Sequence, residues 1–310
     1  MSVVRVRCGS RLHFGLINTS APFGGIGVMV DTPETELTVT PSERFEPGDF
    51  KTARIEAIAD RFAKHLGHAS KPKLRIKVLQ HAPSHTGLGS GTQLSLAVSE
   101  ALCRSLNIDL EQPFLAMEIA ARGQRSAVGT HGYFQGGLIY ESGFQVDNSG
   151  GLIRRIELPE TWCVAILRPS SSPQSVCGEL EVRQFERLPP VPQQAIDDLR
   201  NRIEEQILPA AHGQHFESFA DAVSDYNRAS GNLFAAVQGG AYNGPDVSEV
   251  IDWLCETGVR GVGQSSWGPG VFAWFEDYTS AQRCIDSLPN RIESVAITRV
   301  RNRARELATQ

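Results

Sequence analysis

The stretch H-A-P-S-H-T-G-L-G-S-G-T-Q, His81 to Gln93, decides how this chain is read. Ahead of it, Leu74, Ile76 and Val78 alternate with Arg75 and Lys77, which is the period of a strand. Behind it, Leu94, Val98, Ala101 and Leu102 fall on one face of a helix. A loop carrying Gly87, Gly89 and Gly91 therefore feeds a helix N-terminus. Glycine lets the backbone turn sharply and approach a ligand closely. The first N–H groups of a helix have no internal partner, and the macrodipole adds partial positive charge. The combination is an anion site, most simply for phosphate, worth about 0.3–1 kcal/mol per exposed charge. The plainer reading is a tight strand–helix turn capped by Ser90 or Thr92. No lysine follows the last glycine, so the loop is not a Walker P-loop. Its alternating glycines do not fit the dinucleotide motif G-x-G-x-x-G either.

The chain has 310 residues, enough for a large core and two lobes. No apolar run approaches the ~20 residues that span a bilayer. The N-terminus, M-S-V-V-R-V-R, lacks the apolar core of a signal peptide and alternates like a strand. Cys8, Cys103, Cys163, Cys177, Cys255 and Cys284 have no paired spacing, which argues against zinc or a disulfide framework and for a cytoplasmic setting. The net charge of −5 disfavours nucleic acid as a partner. No lysine occurs after Lys77, so any anion clamp beyond it must use arginine, histidine or backbone N–H. Arginine-rich coding accounts for much of that bias.

Periodicity predicts strands over 3–8, 36–40, 73–80, 138–140, 161–167, 271–275 and 291–298. It predicts helices over 52–66, 109–121, 247–256, 279–288 and most of 193–237. The S-S-S-P run and the P-P-V-P run near Pro190 mark loops, with a break between lobes in 168–190. The expected units are 1–168 and 169–310, an α+β arrangement. The arginine-rich last dozen residues read as a partly frayed end.

Four places could carry chemistry. Arg11 and His13 alternate with Leu12 and Phe14 beside Gly15, a binding site past a strand end or simply a strand's outward face. His85 sits on the rim of the glycine loop, as an acid/base or as a solvated side chain. Arg122, Arg125 and His131 share a glycine-containing loop after a helix. Gln264, Ser265, Ser266 and Trp267 lie in G-V-G-Q-S-S-W-G-P-G, which holds more glycine than a simple turn needs. Trp267 suits a pocket wall or a stack on an aromatic ring.

P-S-H-T-G-L-G-S-G-T-Q resembles the phosphate-loop motif of the GHMP kinase superfamily. R-L-H-F-G and G-Q-S-S-W-G-P stand, in order, where that superfamily has its first and third motifs. The resemblance implies a ribosomal-protein-S5-like N-terminal lobe with a left-handed βαβ crossover, and a ferredoxin-like C-terminal lobe. Kinases of this group that use a carboxylate base carry S-G-[IV]-D between the second and third motifs. The matching segment here is Ser126-Ala127-Val128-Gly129, with glycine at the aspartate position. Without that carboxylate nothing there takes a proton from a substrate hydroxyl.

These departures look like one branch, the beta-ribofuranosylaminobenzene 5'-phosphate synthases of tetrahydromethanopterin biosynthesis. The middle loop is the less close match. The implied reaction joins 4-aminobenzoate to phosphoribosyl pyrophosphate and releases carbon dioxide and pyrophosphate, with magnesium as the implied cation. Gly87, Leu88, Gly89, Ser90, Gly91, Thr92 and Gln93 would then hold pyrophosphate. Arg122 or Arg125 would pair with the ribose phosphate or the carboxylate. Arg11, His13, His131, Gln264, Ser265, Ser266 and Trp267 would contact substrate. Thr92 and Glu118 are the metal candidates by analogy with the kinases' Ser and Glu. A homodimer is the implied assembly. The rival readings are an ATP-dependent small-molecule kinase of the same fold and a non-catalytic phosphometabolite binder.

Overall fold

The computed structural model describes residues 3–84, 86–123, 125–143, 151–171 and 183–309. Strand β1 (Val4–Leu16) and strand β2 (Gly25–Pro41) form a long antiparallel hairpin. At its start, β1 alternates buried Val4, Val6 and Cys8 with outward Arg5 and Arg7. Further on both faces are covered, and bulges break the register between Cys8 and Ser10 and between His13 and Gly15. Bulges re-aim side chains, and here they turn the Arg11–Gly15 segment toward the site. The far edge of β2 is shared by β3 (Leu74–Gln80) and β4 (Leu138–Glu141), and β5 (Leu152–Ile156) extends the sheet beyond β4. Arg11 and His13 thus lie inside a strand rather than past its end.

Helix α1 (Thr52–His65) and helix α2 (Ser90–Ser105) cover one face of this sheet. The pattern in α1 is a single apolar stripe, Ile55, Ile58, Ala59 and Phe62. Helix α2 is buried nearly all round, because its serines and alanines let neighbours close in on both flanks. The Ser95 and Ser99 hydroxyls satisfy themselves on the carbonyls of Gly91 and Ser95 at 2.8 Å each. The expected helix at 109–121 is instead a short turn, Gln112–Phe114, that widens into a π-helical turn, Leu115–Ile119. Helix α4 (Val128–Gln135) precedes β4, the turn at Gln112–Phe114 counting as α3.

A second antiparallel sheet has the order β7-β8-β6-β9, from β6 (Cys163–Pro169), β7 (Gly263–Gln264), β8 (Val271–Phe275) and β9 (Ile292–Arg299). One of its faces shares a core with the first sheet and with the helical run from 193 to 232. The other packs on Gly244–Glu256 and Tyr278–Asp286. The change of sheet therefore precedes Cys163, whereas the sequence pattern puts the break at 168, the loop after that strand. The reason is that Cys163–Leu167 is apolar throughout, and such a run is equally at home in either sheet. Among the described residues no helix is long and apolar enough to cross a membrane.

The arginine-rich end is not frayed. Strand β10 (Glu306–Thr309) pairs with β1 on its outer edge, Val4 opposite Thr309. Arg301, 2% exposed, bonds Asp31 and Glu306 at 3.2 Å each and the Ala304 carbonyl. Arg305 forks onto the buried Glu100 carboxylate, which also accepts from the Tyr133 hydroxyl at 2.7 Å. Charge pairing, invisible to an apolar pattern, anchors this segment. Arg305→Ala strands Glu100 in the core and should lower unfolding free energy by about 3–5 kcal/mol. Urea denaturation reads it, and a change below about 1 kcal/mol would mean that water replaces the guanidinium.

Candidate active site

The glycine loop, the first motif and the third motif meet in space, and the glycines are what let them. A Cβ on Gly87 would lie 2.0 Å from the Ser265 carbonyl oxygen. One on Gly268 would lie 2.4 Å from the Gly87 nitrogen, and one on Gly270 2.0 Å from the Thr86 carbonyl oxygen. The two glycine-rich loops pack backbone against backbone. Ser265 clips all three motifs: its Oγ accepts from the His13 N–H at 3.0 Å and donates to the Gly87 carbonyl at 2.8 Å. The Arg11 N–H donates to the Leu88 carbonyl at 2.9 Å.

Helix α2 starts at Gly89, in the left-handed region at φ 65°, and no side chain caps it. The reading of Ser90 or Thr92 as a cap is therefore overturned, and the helix end faces the cavity. That cavity has a volume of about 550 Å³. Gly87, Leu88, Gly89, Ser90, Gly91 and Thr92 line it, as do Arg11, His13, Arg122, Arg125, Gln264, Ser266 and Trp267. Lys51, Arg54 and His81, which the motifs did not single out, join them at the loop end. The Arg54 guanidinium lies over Gly91, its Nη1 2.2 Å from where a Cβ would be. His81 leans on Phe50, ring centroids 4.6 Å apart, and its Nε2 is buried with no partner among the described residues. Burial first, then Lys51, holds the His81 imidazole down to about 4, so it is neutral at neutral pH.

The other end of the cavity is aromatic. Trp267 stacks on Phe185 at 5.0 Å and 26°, and meets Phe234 edge-on. Arg125 sits over the Phe185 ring at 4.4 Å. The Trp267 Nε1–H is buried with no hydrogen-bond partner among the described residues. An unpaired buried donor is costly.

Behind the wall, the helix Phe216–Asn232 holds the end of β1 by its carbonyls. Tyr226, Asn227 and Ser230 donate to Gly15, Phe14 and Leu16 at 2.9, 2.6 and 2.7 Å. Asn227 also bonds both backbone groups of Gln264. None of the three has a motif signal, since their task is to bind backbone.

Several expected site residues stand elsewhere. Gln93 is fully buried and donates its amide to the Gly129 carbonyl at 2.9 Å, tying α2 to α4 rather than holding phosphate. Ser265 is a clip beneath the cavity wall. His131 lies on α4 outside the cavity lining. Glu118 is exposed and also outside the lining, so it is no ligand of a metal at Thr92. His85 lies outside the described residues. No described cavity residue is Asp or Glu, and no cluster of three His, Cys, Asp or Glu occurs among the described residues. The described residues do not fit a magnesium ion held by protein carboxylates. A Cβ at Gly129 would keep ordinary contacts, 3.4 Å or more, beside Thr92 and Arg11. A side chain can therefore begin at this position without backbone strain, and the chain has glycine there.

The family description "GHMP kinases N terminal domain" matches residues 53–137, and "GHMP kinases C terminal" matches 207–294. The chain is 28% identical to the beta-ribofuranosylphenol 5'-phosphate synthase of Methanothermobacter thermautotrophicus, covering 85% of this chain and 86% of that protein. It is 27% identical to the protein of the same name from Archaeoglobus fulgidus, covering 87% of each. The fold matches homoserine kinase from Cytophaga hutchinsonii at a TM-score of 0.70 and 16% identity, over 99% of this chain and 97% of that one. It matches phosphomevalonate kinase from Streptococcus pneumoniae at 0.70 and 13%, over 97% and 100%. The two matched domains take up just over half of the residues and carry the glycine loop and part of each lobe. The chain belongs to the GHMP kinase family.

Proposed function

We propose that this protein is a synthase that joins phosphoribosyl pyrophosphate to a para-substituted benzoate, releasing pyrophosphate and carbon dioxide and forming a carbon–carbon glycosidic bond. One observation carries the reading: a single cavity has a cationic, uncapped helix end at one side and an aromatic wall at the other. Phosphate groups suit the first end and a benzoate suits the second. The relatives' printed name, a ribofuranosylphenol 5'-phosphate synthase, names a product made of these two parts. It also widens the acceptor from 4-aminobenzoate to 4-hydroxybenzoate.

The N–H groups of the α2 start, with Lys51 and Arg54, hold the leaving diphosphate and take up the charge that develops on it. A magnesium ion would come in on the diphosphate oxygens, the Ser90 and Thr92 hydroxyls being the protein oxygens nearest to hand. Trp267 and Arg125 place the ring, the guanidinium facing its carboxylate. The ring carbon attacks the anomeric carbon as pyrophosphate leaves, and loss of carbon dioxide restores aromaticity. The nucleophile is a π-system, so Gly129 costs this reaction nothing.

Purified protein with magnesium, phosphoribosyl pyrophosphate and either benzoate should release carbon dioxide and pyrophosphate in equal amounts. A parallel tube holds ATP and a panel of small alcohols. ADP release with no carbon dioxide would overturn the proposal in favour of a kinase. Ligand binding with no product in either tube would overturn it in favour of a binder.

A further inference from the structure

Phe185 holds the two partners that the scheme above gives to the acceptor ring. Trp267 stacks on it at 5.0 Å and 26°, and the Arg125 guanidinium lies over it at 4.4 Å. Phe234 and Phe23 stand almost perpendicular to it, at 85° each, with ring centroids 5.6 and 5.9 Å away. A stacked ring, two rings set edge to face and a cation make a slot suited to one benzene ring. The slot lines the cavity, and a side chain of this protein fills it.

The frame of the slot and its occupant are anchored differently. Trp267 and Phe234 are 8% and 6% exposed, and Trp267 belongs to the loop that packs on the Gly87 backbone. Phe185 is half-buried and sits in a turn over 183–188, where Arg183, Glu186 and Arg187 are exposed. Among the described residues, the backbone bonds of 184–188 stay inside the turn. The Arg187 N–H donates to the Gln184 carbonyl at 3.1 Å and the Leu188 N–H to the Phe185 carbonyl at 3.2 Å. Phe185 and Leu188 then pack the turn on Leu16, Phe234 and Trp267. A segment with local backbone bonds and two inward side chains stands at the low end of local stability.

We propose that Phe185 is a gating residue: its ring occupies the acceptor's seat and gives it up to an incoming aromatic carboxylate. This rests on the function proposed above and adds a step to it. The incoming ring takes over the stack on Trp267. Its carboxylate pairs with Arg125 through charge-assisted hydrogen bonds, which are stronger than the contact with the Phe185 face. A saturated alcohol offers neither, so it does not repay the lost stack. While the seat is filled by Phe185, water is kept from that end of the cavity. In an open and empty seat, a water oxygen bonds to the anomeric carbon, pyrophosphate leaves with the carbon–oxygen pair, and the water's proton goes to solvent. The gate suppresses this waste, and it raises the acceptor KM because only the open fraction binds.

The test compares wild type, Phe185→Ala and Phe185→Leu with magnesium and phosphoribosyl pyrophosphate, with 4-hydroxybenzoate and without it. Phe185→Ala should lower the acceptor KM about threefold or more and raise acceptor-free pyrophosphate release. Both changes count the same open fraction, so they should share one factor. Phe185→Leu keeps apolar bulk but offers Arg125 no π-face, and should move both quantities the same way and less far. Should Phe185→Ala not fold, Phe185→Leu decides the matter. A residue that only walls or packs the cavity predicts the opposite sign, a KM that rises when its ring is removed. A KM that rises or stays level, or acceptor-free release that stays at the wild-type rate, would overturn the gate while leaving the synthase reading intact. A wild type that releases neither carbon dioxide nor pyrophosphate would overturn both.

Discussion

Gly87→Ala should cut kcat/KM by at least about 100-fold in a protein whose fold survives. Gly87 sits at φ 78°, and an L-residue there costs about 1–2 kcal/mol before any contact is counted. Its new Cβ would lie 2.0 Å from the Ser265 carbonyl oxygen, which is backbone and cannot rotate away. The loop must therefore shift by roughly an ångström, and misplacement on that scale costs a positioned reaction about two orders of magnitude. The shift also pulls the Gly87 carbonyl off the Ser265 hydroxyl that aligns His13. Steady-state kinetics with circular dichroism as the folding control checks this. Wild-type turnover in Gly87→Ala would mean that the glycine loop does not position the reacting groups.

Asn227→Leu should lower unfolding free energy by about 3 kcal/mol or more. The asparagine is 5% exposed and makes three bonds to backbone: Phe14 carbonyl at 2.6 Å, Gln264 carbonyl at 2.8 Å and Gln264 N–H at 2.9 Å. Leucine keeps the branched outline with bulkier methyl ends, and three buried groups lose their partner. Each such orphan costs about 1–3 kcal/mol. The same bonds hold the first motif to the third, so kcat/KM should fall with stability. Urea denaturation gives the first quantity, and a loss under about 1 kcal/mol would show that water enters and satisfies the three groups.

The fold and the loop were legible in the sequence for one reason. Gly87, Gly89 and Gly91 follow a period-2 run and precede a period-3.6 run, so local periodicity and local backbone freedom agreed on a glycine loop feeding a helix start, while the absence of a side-chain cap showed only in the structure. Arg122, Arg125 and Trp267 were also found, because a glycine-rich loop that carries large polar or aromatic groups stands out by itself. What failed did so for physical reasons. Gln93 continues the motif in sequence, but helix rotation turns it away from the cavity and onto the Gly129 carbonyl. Lys51, Arg54 and Asn227 are ordinary residues on ordinary helices and turns, and only the folded chain brings them to the loop. Glu141 stood just past the predicted strand over 138–140; its burial and its two backbone donors exist only after Ala127 and Gly143 close over it. The C-terminal arginines looked solvated because composition does not say where their carboxylates are.

The pairing of β10 with β1 sets the order in which a growing chain can become a working one. Val4 is synthesised 305 residues ahead of its partner Thr309. At about 5–20 residues per second the outer edge of β1 stays open for some tens of seconds while the whole second sheet is made. During that interval Glu100 has no Arg305, and an open strand edge is a template for pairing with other chains. A polypeptide cut short anywhere in the second sheet would carry an intact glycine loop on a lobe that cannot close. Such fragments keep the outer edge of β1 open, and the first sheet is complete only when β10 pairs with it.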